Sequence, residues 1–351
     1  MPDTVRCALF TPISTHQMGN GLAHRARFWH EVLSRFGQVA TVVVPLAGTP
    51  PPRRPGGIDE TIVPLTSAPA ESAHLPSRAR LAPEEHGRLW RTADFDLVVV
   101  LRAYCAPFAF GAVAGADAVV IVDVDDDDAT FHDDAGDHAE AARYRALIAE
   151  IEQRAAVIVS VTGFGSTIAV ANSVEVPSPR PGDRAPGRRV VMVGNFGYLP
   201  NVDGARWFVG EVLPLCEDLE FVIAGPGSER LAPFGIGFAS NLDELYASAD
   251  VVVVPLLSGS GSCIKAIEAF AAGVPVVGTT IGLEGLEVRE GIDCLIADDP
   301  HDFAAALGQL LDAPWLAQRI AKSALANVMP RYARTQVADE AERLLRECLD
   351  R

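Results

Sequence analysis

Lys265 and Glu268 stand three positions apart, directly after the turn Gly259, Ser260, Gly261, Ser262, which is itself fed by the apolar run 251–254. Three apart on a helix means one shared face. A glycine-rich turn at a helix N-terminus exposes backbone N–H groups at the positive end of the helix dipole, an arrangement suited to holding phosphate. An ammonium beside it would meet a diphosphate, and a carboxylate one turn on would accept hydrogen bonds from ribose hydroxyls. Lys265 is one of only two lysines in the chain, the other being Lys322. The alternative is a tight strand-to-helix connection carrying a surface Lys–Glu pair.

The second dense signal is Asp123, Asp125, Asp126, Asp127 and Asp128, followed by His132, Asp133 and Asp134. Three readings stand side by side. Asp125 or Asp126, at the end of a strand, could touch a transferred sugar or an acceptor. The run could cage Mg²⁺ or Mn²⁺, since hard cations prefer clustered oxygens. Or it is a solvated acidic loop. So many carboxylates cannot be buried unpaired, so most of the run is expected to be wet. His132 is either a loop histidine or a catalytic group. Arg102 and Tyr104 follow the apolar run 97–101, where an arginine could grip an acidic acceptor or a diphosphate, or simply cap and pack. Gly19 and Gly21 would let the backbone approach a ligand closely, or form a plain turn.

These residues need elements to hold them. Short β-rich runs alternate with helical stretches, which argues parallel sheets in an α/β architecture. Strands are expected at 7–11, 39–44, 97–101, 118–122 and 157–161, with a further one at 61–63 inside a Pro- and Gly-rich excursion, 46–76. Helices are expected at 21–35, 83–91, 138–154 and 165–171. After a proline-rich stretch, a second series follows: strands at 190–193, 220–224, 251–254 and 274–277, a short piece at 235–238, and helices at 203–213, 243–249 and 262–272. From residue 300 the pattern is helical almost to the end. The division that fits is a first domain over 1–177, a linker at 178–189, a second domain over 190–330, and a C-terminal helical segment 331–351 able to pack back on the first. In such doubly wound sheets, ligands sit beyond the carboxyl ends of the strands.

At 351 residues the chain exceeds the size at which one core stops growing. It is 49% hydrophobic and 21% charged, a globular composition. The formal net charge of −17 would repel nucleic acid and anionic lipid, so neither is an expected partner. The arginine-bearing segments 24–36 and 78–91 read as solvated helix faces, with a local basic patch as the alternative. No apolar run approaches the roughly 20 residues of a membrane span. The cysteines Cys7, Cys105, Cys216, Cys263, Cys294 and Cys348 are scattered without a CxxC pair, which suggests reduced thiols, a cytoplasmic setting and no zinc site.

The second half resembles the family-4-like, or group 1, glycosyltransferases of the GT-B fold. The match is carried by 191–203 with its Pro200-Asn201 loop, Ala224-Gly-Pro-Gly227, the stretches 237–242 and 245–250, Pro255 through Glu268, 273–277, 282–286 and Asp298-Asp-Pro300, in the family's order over residues 189–310. The first half fits more loosely, through Pro12, Gly19 to Gly21, 95–107 and 122–126.

The resemblance implies two doubly wound Rossmann-like domains facing across a cleft. It also implies transfer of a sugar from a nucleotide-diphosphate donor to an acceptor, with retention and without metal or cofactor. Its donor contacts map onto Gly259, Ser260, Gly261, Ser262 and Lys265 for the diphosphate, and Glu268 for the ribose. Phe238 and Ala239 fall beside the base, and Gly194, Gly19 and Gly21 lie near the donor. On the other side, Arg102 and Tyr104 face the acceptor, with Asp125 and Asp126 joining Lys265 as candidate catalytic groups. Three departures stand out: Ser260 where the commoner pattern has a second glutamate, Cys263 where one branch often has arginine, and no Arg/Lys pair after the first strand of the second domain. A nucleotide-sugar epimerase or a catalytically silent nucleotide-sugar-binding protein on the same frame is the alternative. A nicotinamide dehydrogenase fits poorly, because Arg230 stands where the third glycine belongs. The sequence leaves acceptor, donor sugar, base and oligomeric state open.

Overall fold

The computed structural model describes residues 5–17, 21–44, 60–62, 75–79, 94–176, 187–259 and 263–351. The chain forms two compact units. Unit 1 is Met1–Val170 with Ala338–Arg351, and unit 2 is Ala171–Val337. The linker expected at 178–189 lies mostly outside the described residues, as do the helix expected at 83–91 and most of the excursion 46–76.

Unit 1 is built on β1 (Cys7–Thr11), α1 (Gly21–Ser34), β2 (Val39–Val43), β3 (Glu60–Ile62), β4 (Leu97–Leu101), α2 (Ala106–Ala112), β5 (Val119–Asp125), α3 (Asp128–Asp134), α4 (His138–Glu152), β6 (Val157–Ser160) and β7 (Ile168–Ala169). The strands form one parallel sheet in the order β3-β2-β1-β4-β5-β6-β7. Every residue of β1 and β4 is buried, which is why these strands read as unbroken apolar runs rather than alternating ones. The strand order reverses between β1 and β4, so the chain leaving these two strands diverges and opens a crevice at their carboxyl ends.

The helix expected at 165–171 is not there. Gly163 and Gly165 take positive φ (71° and 55°), and the Thr167 hydroxyl stands 2.7 Å from that of Ser160 while accepting the Phe164 N–H at 2.8 Å. Those side-chain bonds compete with helix formation and turn the chain into edge strand β7 instead. The acidic run does form a helix, α3, whose N-cap is Asp127, accepting from the Thr130 N–H at 3.0 Å.

Unit 2 carries β8 (Arg189–Val193), α5 (Leu199–Trp207), β9 (Glu220–Ala224), α6 (Leu242–Ser248), β10 (Val251–Val254), α7 (Ile264–Ala271), β11 (Val276–Gly278), β12 (Leu295–Ile296), α8 (Pro300–Asp312), α9 (Pro314–Asn327) and α10 (Met329–Tyr332). Helix α11 (Arg334–Leu349) starts in unit 2 and contributes its larger part to unit 1. There, Arg35 pairs with Asp339 at 2.7 Å and Glu342 at 3.0 Å.

The sheet of unit 2 is parallel, in the order β12-β11-β10-β8-β9, and it reverses between β8 and β10. Helix α5 begins four residues earlier than expected, because Pro200 fits the first turn, where its missing N–H is no loss. Gly204 then lets α5 close on the end of β10: a side-chain carbon there would stand 2.4 Å from the Pro255 carbonyl oxygen. The piece expected at 235–238 makes a single bridge, Ile223 with Gly235.

Candidate functional site

In unit 2, the reversal between β8 and β10 gathers four side chains from three helices. Lys265 lies in the first turn of α7, and its ammonium donates to Asn201 Oδ1 at 2.7 Å. Asn201, on α5, is buried, and its Nδ2 donates to the Asn195 carbonyl at 2.9 Å. One turn along α7, half-buried Glu268 accepts the hydroxyl of Tyr246, on α6, at 2.8 Å. Burial pushes the Glu268 carboxyl above its ordinary pKa, while the Tyr246 hydrogen bond and the Lys265 charge pull it down. The Tyr246 phenol is in turn driven well up by burial and by the neighbouring carboxylate.

The glycines around this set act through space as much as conformation. A side chain at Gly194 would meet the Asn201 amide at 3.1 Å, and one at Gly225 (φ 129°) would meet the Gly194 carbonyl oxygen at 1.8 Å. Beyond β9, the Gly225 N–H donates to the Gly237 carbonyl at 2.8 Å, bringing the loop with Phe238 and Ala239 to the strand end. Phe238 is 52% exposed and Ala239 half-buried. Gly259 takes φ 129°. Ser260, Gly261 and Ser262 lie outside the described residues.

In unit 1, the corresponding reversal point holds a charged cluster. Asp123, fully buried at the end of β5, accepts Arg25 Nε at 2.6 Å, an Arg25 terminal nitrogen at 3.1 Å, the Trp29 indole N–H, and the Asp125 N–H at 2.9 Å. Burial raises its pKa, and Arg25 and Trp29 oppose that. Arg25 also reaches Asp125 at 3.4 Å. Arg102, directly after β4, binds Asp125 at 3.0 Å, Asp128, and Asp126 at 3.6 Å. Both Arg102 (φ 74°) and Asp125 (φ 65°) occupy left-handed backbone, and β5 shifts register between Asp123 and Asp125. Non-glycine residues hold such conformations only where their surroundings over-determine them.

With four carboxylates against two guanidiniums, two acids are left short of positive charge. The Asp126 carboxyl is pushed up to about 8 by burial and by Asp125. Arg102 Nε and Asp128 Oδ2 are buried without a hydrogen-bond partner. Tyr104 is buried in the unit 1 core, its ring 5.6 Å from the Arg102 guanidinium carbon.

The expectation that the acidic run is mostly wet is therefore corrected at Asp123, Asp125 and Asp128, because Arg25 and Arg102 offset their desolvation. For the same reason α1 does not present Arg25 on a solvated face. His132 stacks on Tyr144 with ring centroids 5.3 Å apart. Among the described residues, no three His, Cys, Asp or Glu side chains are grouped so as to hold a metal ion, and no helix is long and apolar enough to cross a membrane. Gly21 is exposed at the first position of α1, and Gly19 lies outside the described residues. Sequence reasoning missed Asn201, Tyr246, Arg25 and Trp29 as parts of these sites. Only the Pro200-Asn201 pair offered a signal.

Residues 187–313 match the family model described as glycosyl transferases, group 1. Over 168 residues the chain is 33% identical to the D-inositol 3-phosphate glycosyltransferase of Acidothermus cellulolyticus, a match spanning 47% of this chain and 34% of that relative. Sucrose-phosphate synthase of Thermosynechococcus elongatus superposes with a TM-score of 0.72 at 16% identity, covering 99% of each chain. Anabaena HepE, solved with UDP and glucose, gives 0.66 at 11% identity over 97% of this chain and 99% of that one. At such identities the structural likeness speaks for the fold. The chain resembles group 1 glycosyltransferases, most strongly in unit 2, and each of its units is Rossmann-like, as in GT-B enzymes.

Proposed function

We propose that the chain is a glycosyltransferase that moves a sugar from a nucleoside-diphosphate donor to an acceptor, with retention at the anomeric carbon and without a bound metal. The observation that carries this reading is Lys265: a cation in the first turn of α7, at the sheet reversal, tied to a neutral amide rather than a carboxylate. Its charge is left for an anion. As the bond from the anomeric carbon to the diphosphate oxygen breaks, negative charge grows on that oxygen. The Lys265 ammonium and the first amides of α7 stabilise it without reorganisation.

Glu268 would accept the ribose hydroxyls, with Phe238 and Ala239 beside the base and the glycines from Gly259 to Gly261 near the phosphates. Arg102, Asp125 and Asp126 are assigned to the acceptor and the transferred sugar, whereas Tyr104, buried in the unit 1 core, is withdrawn from the acceptor side. The relative's name supports glycosyl transfer, and the UDP bound by Anabaena HepE supports the donor class.

The test is Lys265→Met, measured for UDP and GDP binding and for donor turnover. Loss of one preorganised charge contact should lower turnover by about 10²–10³-fold. Unchanged binding and turnover in a folded variant would overturn the reading. Donor hydrolysis or epimerisation with no acceptor present would point to the epimerase alternative instead.

A further inference from the structure

Resting on that donor reading, we infer that Asn201 is the positioning residue of Lys265 and that it must be neutral. Three observations converge. Asn201 Oδ1 accepts the ammonium at 2.7 Å, and the same amide is fixed from its other end by the Asn195 carbonyl at 2.9 Å. Its rotamer is walled in on the β8 side, where Gly194 leaves just enough room and a side-chain carbon would stand 3.1 Å from Asn201 Cγ. Helix α5, which carries Asn201, is itself seated against the end of β10 through Gly204 and the Pro255 carbonyl. A lysine side chain has four rotatable carbons and loses much entropy when fixed. Here a buried, doubly bonded amide holds it before any ligand arrives.

The choice of amide over carboxylate carries the functional content. An asparagine is a hydrogen-bond acceptor without charge, so it leaves the ammonium more attraction for an incoming diphosphate than an ion pair would, and two donor hydrogens for its oxygens. An aspartate of the same shape would form an ion pair with Lys265 and repel the diphosphate. Asn201 thus supplies, from the first helix of unit 2, the orientation that a second cation would otherwise share.

The experiment is calorimetric titration of UDP and GDP into wild type, Asn201→Asp, Asn201→Ala, Lys265→Met and the Asn201→Ala/Lys265→Met double variant, with thermal melts of each. At pH 8, Asn201→Asp should weaken binding about tenfold or more. Its ratio to wild type should fall towards one as the pH drops and the new carboxyl protonates. A merely structural defect is told apart by the double variant, where it would persist in the absence of the ammonium. Asn201→Ala should weaken binding about threefold to fivefold, and should add nothing in the Lys265→Met background.

Wild-type strength in Asn201→Asp, or a pH-independent ratio, overturns the inference. So does full additivity of Asn201→Ala with Lys265→Met. If Lys265→Met binds as wild type does, or wild type binds neither nucleotide, the donor reading itself fails and takes the inference with it.

Discussion

At the reversal between β1 and β4, two guanidiniums sit among four carboxylates, whereas at the reversal between β8 and β10 one ammonium faces a neutral amide. The topological address is the same, but the electrostatics are opposite. In unit 1, each guanidinium already has carboxylate partners within the fold, so the cluster is part of what the fold must satisfy. In unit 2, the ammonium is hydrogen-bonded to an amide and has only Glu268 as a nearby carboxylate, so a ligand can supply a further partner. The difference teaches which residues can be altered without unfolding the chain, and it can be tested from both sides.

The largest effect should come from Asp123→Ala. It leaves Arg25, whose side chain is 1% exposed, without its main counter-charge, and unsatisfies the Trp29 indole N–H. Breaking a buried pair from one side costs about 3–5 kcal/mol. Urea denaturation should show unit 1 destabilised by that amount, and a loss below about 1 kcal/mol would mean the cluster is not structural. Lys265→Met is the counterpart in unit 2. Lys265 is half-buried with an uncharged partner, so its loss should cost the fold only about 1 kcal/mol, for the Asn201 Oδ1 left unpaired, while turnover collapses. Equal stability losses from the two substitutions would erase the distinction.

The pH response sharpens it further. Asp126 has a folded pKa of about 8, above its ordinary value, so the folded chain keeps a proton that the unfolded chain has released. Stability from that group is therefore full below pH ~4 and declines as pH rises through about 8. Asp126→Asn should match wild type below pH ~4 and exceed it increasingly as pH rises to about 8. Asp293 of unit 2 runs the other way. Held down to about 2 by Arg289, and by Ser323 and Asn327, it contributes stability that is present above pH ~4 and lost as pH falls through about 2. Unit 1 should thus soften in base and unit 2 in acid. Identical pH profiles for Asp126→Asn and wild type would remove the buried neutral acid from the account.

The strands were the most legible part of the chain. The expected ranges 7–11, 97–101, 220–224 and 251–254 coincide with β1, β4, β9 and β10, because a strand buried on both faces must be continuously apolar. Helix ends were less legible wherever a side chain settled the matter. Asp127 caps α3 inside a run that reads as loop, and Thr167 helps pull the start of the expected helix 165–171 into a turn. The polar sites were half legible. Lys265, Glu268 and the aspartates announce themselves by type and spacing. Their partners do not, because parallel pairing brings together residues 98 apart in Arg25 and Asp123 and 64 apart in Asn201 and Lys265. Arg25 occupies a helix position that looks solvated until β5 supplies Asp123 beneath it.

The smallest effect is also the most discriminating within unit 2. Tyr246→Phe removes one hydroxyl, the donor to Glu268 Oε2, and leaves the ring to fill the same space. The hydrogen bond is worth about 1 kcal/mol net, so the fold should barely register the change. Glu268, however, is held between burial, which raises its pKa, and two groups that lower it, Tyr246 first and Lys265 second. Without the hydroxyl, the raising influence gains ground, and the carboxyl takes up its proton at higher pH. If the ionised carboxylate is what ribose hydroxyls bind, the acid limb of the UDP-binding profile should move upward, while affinity at pH 8 stays within about threefold of wild type. An acid limb that stays in place, in a variant that still binds UDP, would take Glu268 out of the proposed nucleotide site and leave Lys265 as the only charged residue of α7 assigned to it.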